Sequence, residues 1–162
     1  RHGCYETESD IPPHILACSI YGPSYLSFEY ALSFYGLIPE RVTIYTSATT
    51  CKNRTKKFTN DFGTYTYQDI PLAAYPHETM VQVWNNRGYL IATPEKALCD
   101  TLCKQKPVTS LKALKQLLFE NLRIDEDEFE KLNREVLLFL CPRYKKKNRN
   151  FLCRLLEKEG KQ

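Results

Sequence analysis

The chain has 162 residues, 43% of them hydrophobic, 26% charged and only six glycines. It can bury a real core and is neither a disordered chain nor a fibrous repeat. The formal charge of +4 and the pI near 8.6 permit contact with nucleic acid without demanding it. Seven cysteines form an odd set without regular spacing, which points to reduced thiols in a cytoplasm rather than a disulfide framework. No apolar run approaches the length of a membrane span and no signal peptide is visible, so a cytoplasmic protein without a membrane partner is expected.

The first strong element lies between Tyr21 and Glu40. Gly22-Pro23 interrupts what precedes, Ser27 offers a hydroxyl to the next turn, and Gly36 followed by Pro39 supplies a left-handed stop. These signals predict a helix over 28–35, with Phe28, Ala31, Leu32 and Tyr35 as its buried stripe. The period then changes to two. Val42–Ser47, Lys56–Thr59, Thr64–Gln68, Met80–Trp84 and Tyr89–Ala92 read as strands, with turns at Asp61-Phe62-Gly63 and Asn85-Asn86-Arg87-Gly88. Together they predict a small antiparallel or mixed sheet of about five strands. Trp84 is expected in its core.

From Thr93 onward the pattern is helical. Thr93 as cap, Pro94 at the first position and Glu95 at the positive end of the dipole open a helix to about Lys104. Ala97, Leu98, Thr101 and Leu102 form its inward stripe, with Lys96 and Asp100 as an i, i+4 ion pair on its outer side. Further helices are predicted over 111–120, from the Asp125 cap to about Leu140, and from Asn148 or Asn150 to Glu159, with Cys141-Pro142 as a break. The fold class is thus α+β with a helical C-terminal half. Residues 1–10 read as the end of a preceding domain or a linker, 11–105 as the core, and 106–162 as a helical part packed on it.

Searches for catalytic chemistry find little. The three histidines lack metal-ligand neighbours, and Cys99 with Cys103 is a single thiol pair that serves equally well as small apolar packing. No metal site, cofactor or phosphate loop is expected. Asp125 and Asp127 form a D-x-D pair at a helix start, where capping and the helix dipole account for them. Two basic clusters remain: Lys52, Arg54, Lys56 and Lys57 at a turn, and Arg143, Lys145, Lys146, Lys147 and Arg149 between two helices. Each is either a solvated loop or a grip on phosphates, which would be salt-dependent and blind to sequence. Tyr65 and Tyr67 are open to either base stacking or core packing.

The stretch Pro23–Glu40, P-S-Y-L-S-F-E-Y-A-L-S-F-Y-G-L-I-P-E, resembles the start of the C-terminal domain of AbiEi-family antitoxins, the transcriptional regulators of type IV toxin–antitoxin systems. Three later segments match that pattern in order and spacing: Thr43–Ser47, Asp61–Tyr67 and Ala92–Asp100, the last resembling the family's A-x-x-E-K-A-L-x-D helix. The resemblance covers about Tyr21 to Leu102, half of the chain. It implies a cytoplasmic, non-enzymatic regulator in phage defence that counters a nucleotidyltransferase-like toxin, without a tight complex, and assists operon repression. The motif residues it marks are Ser27, Glu29, Glu95, Lys96 and Asp100. It also implies an N-terminal winged helix that contacts DNA. Arg1–Tyr5, R-H-G-C-Y, resembles the end of its wing, and a chain opening on Arg1 rather than Met suggests that the rest of that domain lies outside it. The alternatives are a non-specific nucleic-acid-binding module built on the basic clusters, and a catalytic domain with an acidic site of unfamiliar form.

Overall fold

The computed structural model describes residues 11–144 and 147–159, with only the backbone given for Lys147, Arg149, Lys158 and Glu159. The segment resembling a wing end at Arg1–Tyr5, and Lys145 and Lys146, lie outside the described residues. The elements in chain order are α1 Pro13–Ile20, β1 Tyr25–Leu26, α2 Phe28–Phe34, β2 Ile44–Thr49, β3 Lys56–Asn60, β4 Gly63–Asp69, β5 Thr79–Trp84, β6 Arg87–Ala92 and α3 Pro94–Lys104. There follow α4 Leu111–Lys115, which runs on through a π-turn at Gln116–Asn121, α5 Glu126–Glu130, α6 Arg134–Leu140 with a tight turn at Cys141–Arg143, and α7 Lys147–Glu159.

The strands form one mixed sheet of six, ordered β3-β4-β2-β1-β6-β5. The β2·β4 and β1·β6 pairs are parallel and the other pairs antiparallel. The α+β class is as the sequence predicts, with one strand more. That strand, β1, has two residues, too few for any period to declare itself, yet it joins the two halves of the sheet by pairing with both β2 and β6. Asn85 and Asn86 hold φ of 44° and 63°, the two left-handed positions that a two-residue hairpin loop between β5 and β6 requires.

Register fixes what each face meets, because side chains alternate along a strand. Tyr65 and Tyr67 lie opposite Tyr45 and Ser47, and both hydroxyls donate to α1 carbonyls, at Pro13 (3.0 Å) and Ala17 (2.6 Å). They are buried core residues, so base stacking by these two rings is ruled out. Tyr25 points to the other face, where α3 lies. Trp84 is half-buried against the margin of the core. A single hydrophobic cluster runs from Ile11 through the sheet to Leu156, enclosing all of Glu95–Cys103 of α3.

Helix ends follow local rules with instructive exceptions. Gly36 takes φ of 73°, and the amides of Gly36 and Leu37 return to the carbonyls of Ser33 and Leu32, the paired 5→2 and 6→1 closure that a left-handed glycine permits. Thr93, Ser110 and Asp125 cap α3, α4 and α5 through their side chains. The single helix predicted from Asp125 to Leu140 is instead two. Asn133 accepts from the amides of Glu135 and Val136 and so starts α6 afresh. Ser27 does not cap α2: Thr46 on β2 does, with Oγ1 accepting from the Tyr30 amide (3.0 Å) and donating to the Ser27 carbonyl (2.6 Å).

Candidate functional site

The Ser27 hydroxyl is committed elsewhere. It donates to Asp100 Oδ2 at 2.7 Å, and the Tyr25 hydroxyl donates to the same oxygen at 2.9 Å. The other oxygen, Oδ1, accepts from Tyr144 at 2.5 Å and lies 3.4 Å from Lys96 Nζ. That ammonium also donates to the Ala74 carbonyl (2.6 Å) and to the Tyr144 hydroxyl (2.7 Å), and it sits over the rings of Tyr25 and Tyr144. Carboxylate and ammonium therefore have their bonding capacity filled, which is the condition for tolerating charge in an apolar interior.

Lys96 and Asp100 thus correct the expectation of a pair on the outer face of α3: both side chains have 0% exposure. The i, i+4 spacing is the same for a surface pair and a buried one. Here α6, α7 and the segment carrying Tyr144 cover the side of α3 that the sequence leaves to solvent. Burial holds Lys96 below its ordinary lysine range, a shift that the Asp100 charge partly reverses. Tyr25 and Tyr144 are raised well above the phenol range, first by burial and then by Asp100.

The remaining motif residues separate. Glu95, also buried, stays in the first turn of α3 as expected and in addition reaches across, its Oε1 accepting from the Asn133 amide at 2.8 Å, at the start of α6. Glu29 lies half-buried in the first turn of α2, where a carboxylate complements the helix dipole. A constellation of serine, tyrosine, lysine and aspartate has the composition of a proton-transfer site. Here its groups are buried and hydrogen-bonded to one another and to the backbone.

Beside it, Cys99, Cys103, Cys141, Tyr144, Asn148 and Leu152 line a small internal cavity. Among the described residues no group of three or more His, Cys, Asp and Glu side chains is placed to hold a metal ion. No described helix is long and apolar enough to cross a membrane.

The first basic cluster is organised rather than loose. Asp69 at the end of β4 accepts from the Thr49 hydroxyl (2.6 Å), from the Lys52 amide (2.6 Å) and from the Asn53 amide. Those bonds hold a loop in which Cys51 and Asn53 both have positive φ. Lys52 Nζ rests 5.3 Å above the Tyr21 ring and Arg54 Nε donates to the Tyr21 hydroxyl (3.3 Å). Lys56 and Lys57 continue onto β3, where they point to opposite faces.

In the second cluster, Arg143 stacks 3.5 Å from the centroid of Phe139 and donates to its carbonyl. Lys147 and Arg149 lie in the first turn of α7, their side chains, like Lys145 and Lys146, outside the described residues. Asn148 between them is buried, and it is a clamp rather than a cap. Its amide nitrogen donates to the carbonyls of Leu102 (3.2 Å) and Lys106 (3.1 Å), and its oxygen accepts from the Val108 amide (2.7 Å). The sequence marked Asn148 only as a candidate helix cap and assigned Tyr144 and Tyr25 no part in the buried cluster, because the partners of all three lie 40 or more residues away.

Comparison with family models, with characterised proteins and with solved structures finds no match.

Proposed function

We propose that this chain is the C-terminal regulatory domain of a bacterial type IV antitoxin of the AbiEi kind, a cytoplasmic, non-catalytic protein that counters a nucleotidyltransferase-like toxin and assists repression of its operon. One observation carries the reading. Ser27 and Asp100 belong to two separate segments of the resemblance, 73 residues apart, and are hydrogen-bonded at 2.7 Å in the interior. Motifs matched by chance have no reason to close on one another. Four of the five motif residues, Ser27, Glu95, Lys96 and Asp100, are buried in contacts that join separate elements, which leaves recognition to the surface.

The organised basic loop favours a second reading, a nucleic-acid-binding module without sequence preference. In the first reading operator selection belongs to a winged helix and the basic clusters only add phosphate contacts; in the second they are the whole function. Co-expression separates them. The antitoxin reading requires that the chain restore growth to cells carrying the nucleotidyltransferase-like toxin of its own operon, with no stable complex recovered on purification. Failure to protect, together with duplex binding that falls steeply with salt, would favour the module.

A further inference from the structure

The edge of the sheet beside the basic loop carries a feature that neither toxin control nor duplex contact requires. Phe58 lies on β3, the outermost strand, opposite Tyr65, and Lys56 shares its face two residues earlier. Tyr65 is covered by α1, whereas Phe58 lies one strand further out and remains 36% exposed. Its ring packs against Tyr21 (centroids 5.8 Å) and Tyr67 (5.8 Å). Tyr21 in turn carries Lys52 and Arg54. Two cations thus sit on the tyrosine that packs against this partly exposed ring, and Lys56 lies two residues away on the same face of its strand.

The loop that presents two of those cations is fixed before any ligand arrives, since Asp69 engages both the Lys52 and Asn53 amides. That engagement also turns the nearby carboxylate toward the loop backbone. A pre-set ring flanked by cations matches a nucleobase with a phosphate on either side. In a duplex the faces of the bases are occupied by their neighbours, so only an unstacked strand offers a face to such a ring.

We propose that Phe58 is a stacking platform for a single-stranded polynucleotide, with Lys52, Arg54 and Lys56 neutralising its backbone. This role is independent of the antitoxin reading. DNA and RNA share the required chemistry, a free base face and flanking phosphates.

The test is fluorescence anisotropy with labelled oligo(dT) and oligo(U) of about 12 nucleotides, a size within the range of one small binding face, and with a duplex of equal length. Single strands should bind more tightly than the duplex. Phe58→Leu keeps the apolar contacts with Tyr21 and Tyr67 but lacks a π-face, and should weaken single-strand binding roughly 10-fold, within the range of one lost base–aromatic stack. Lys52→Gln/Arg54→Gln/Lys56→Gln should reduce the slope of log affinity against log salt by about 2, from about 0.7 per phosphate contact on single strands.

Lys57→Ala, the same charge loss on the opposite face of β3, should weaken binding less than Lys56→Ala. A preference for either sugar identifies the natural strand and leaves stacking intact. The proposal is overturned if no single strand binds, if Phe58→Leu with an unchanged melting temperature binds as well as the parent, if the duplex competes equally, or if Lys57→Ala matches Lys56→Ala.

Discussion

Lys96 Nζ and Asp100 Oδ1 lie 3.4 Å apart with neither side chain exposed, one turn apart on a helix buried on every side. Their partners come from β1, from the residue before α2, from the loop after Ile70 and from the segment before α7. The pair is consequently a junction between the sheet and the C-terminal helices, and its loss has consequences quite unlike those of a surface ion pair.

Lys96→Met removes the cation and leaves Asp100 buried without its charge partner, which should cost about 3–5 kcal/mol. Lys131→Ala, which removes an exposed pair with Glu128, should leave the unfolding midpoint essentially unchanged. Lys96→Met/Asp100→Asn removes both charges and should be more stable than Lys96→Met alone. Urea unfolding monitored by circular dichroism checks all three. Equal midpoints for Lys96→Met and the parent would contradict the buried junction.

The tyrosines give the fold an alkaline limit. Burial raises Tyr35, Tyr65 and Tyr75 to about 12, and Tyr25 and Tyr144 well above the ordinary value. Each keeps its proton in the folded chain where the unfolded chain releases it, so their contribution is complete below about pH 10 and is lost as pH rises from there toward 12. Lys96 acts in the opposite sense. Its lowered value costs stability below that value, and the cost fades as pH rises toward the ordinary lysine range. One lysine is outweighed by five tyrosines. Tyrosinate absorbance and circular dichroism followed together should therefore show ionisation of the buried set coinciding with loss of structure. Smooth titration of every tyrosine near pH 10 with the fold intact would contradict this.

Asn148 clamps the connection after α3 through three bonds to backbone groups. Asn148→Ala strands two carbonyls and one amide in a largely dry region and should cost about 2–4 kcal/mol, on the scale of a buried group left unsatisfied. Asn148→Asp keeps one acceptor for the Val108 amide but loses both donors, so it should not rescue. Thermal unfolding of both variants provides the check, and a neutral Asn148→Ala would show that water replaces the clamp.

What was legible in the sequence was local. The caps at Thr93, Ser110 and Asp125 and the glycine stop at Gly36 depend on residues within one turn, and the strands depend on alternation; both signals survive intact in the fold. What misled was chemistry shared between a local partner and a distant one. Ser27 had the right type and place for a cap, but Thr46 arrives from β2 to take the role and frees the hydroxyl for Asp100. Lys96 and Asp100 had surface spacing, yet Tyr144 lies 44 residues beyond Asp100 and decides their burial. The helix α1 went unread because its signal was a proline at the first position and three buried residues in a row, Ile15, Leu16 and Ala17, without a clean stripe. The basic loop was visible as a run of charge, whereas its bracing by Asp69 depends on register between β2 and β4.

The central claim, that the motif at Ser27, Lys96 and Asp100 supports an antitoxin domain from inside while recognition occurs on its surface, is tested most directly by growth rescue in cells expressing the nucleotidyltransferase-like toxin of the same operon. The parent chain and Lys96→Met/Asp100→Asn should be compared at expression levels adjusted to equal folded protein. The parent should restore growth, and the double variant should protect equally well per folded molecule. No rescue by the parent would contradict the antitoxin assignment, and a folded double variant that fails to protect would show that the buried pair takes part in toxin control directly.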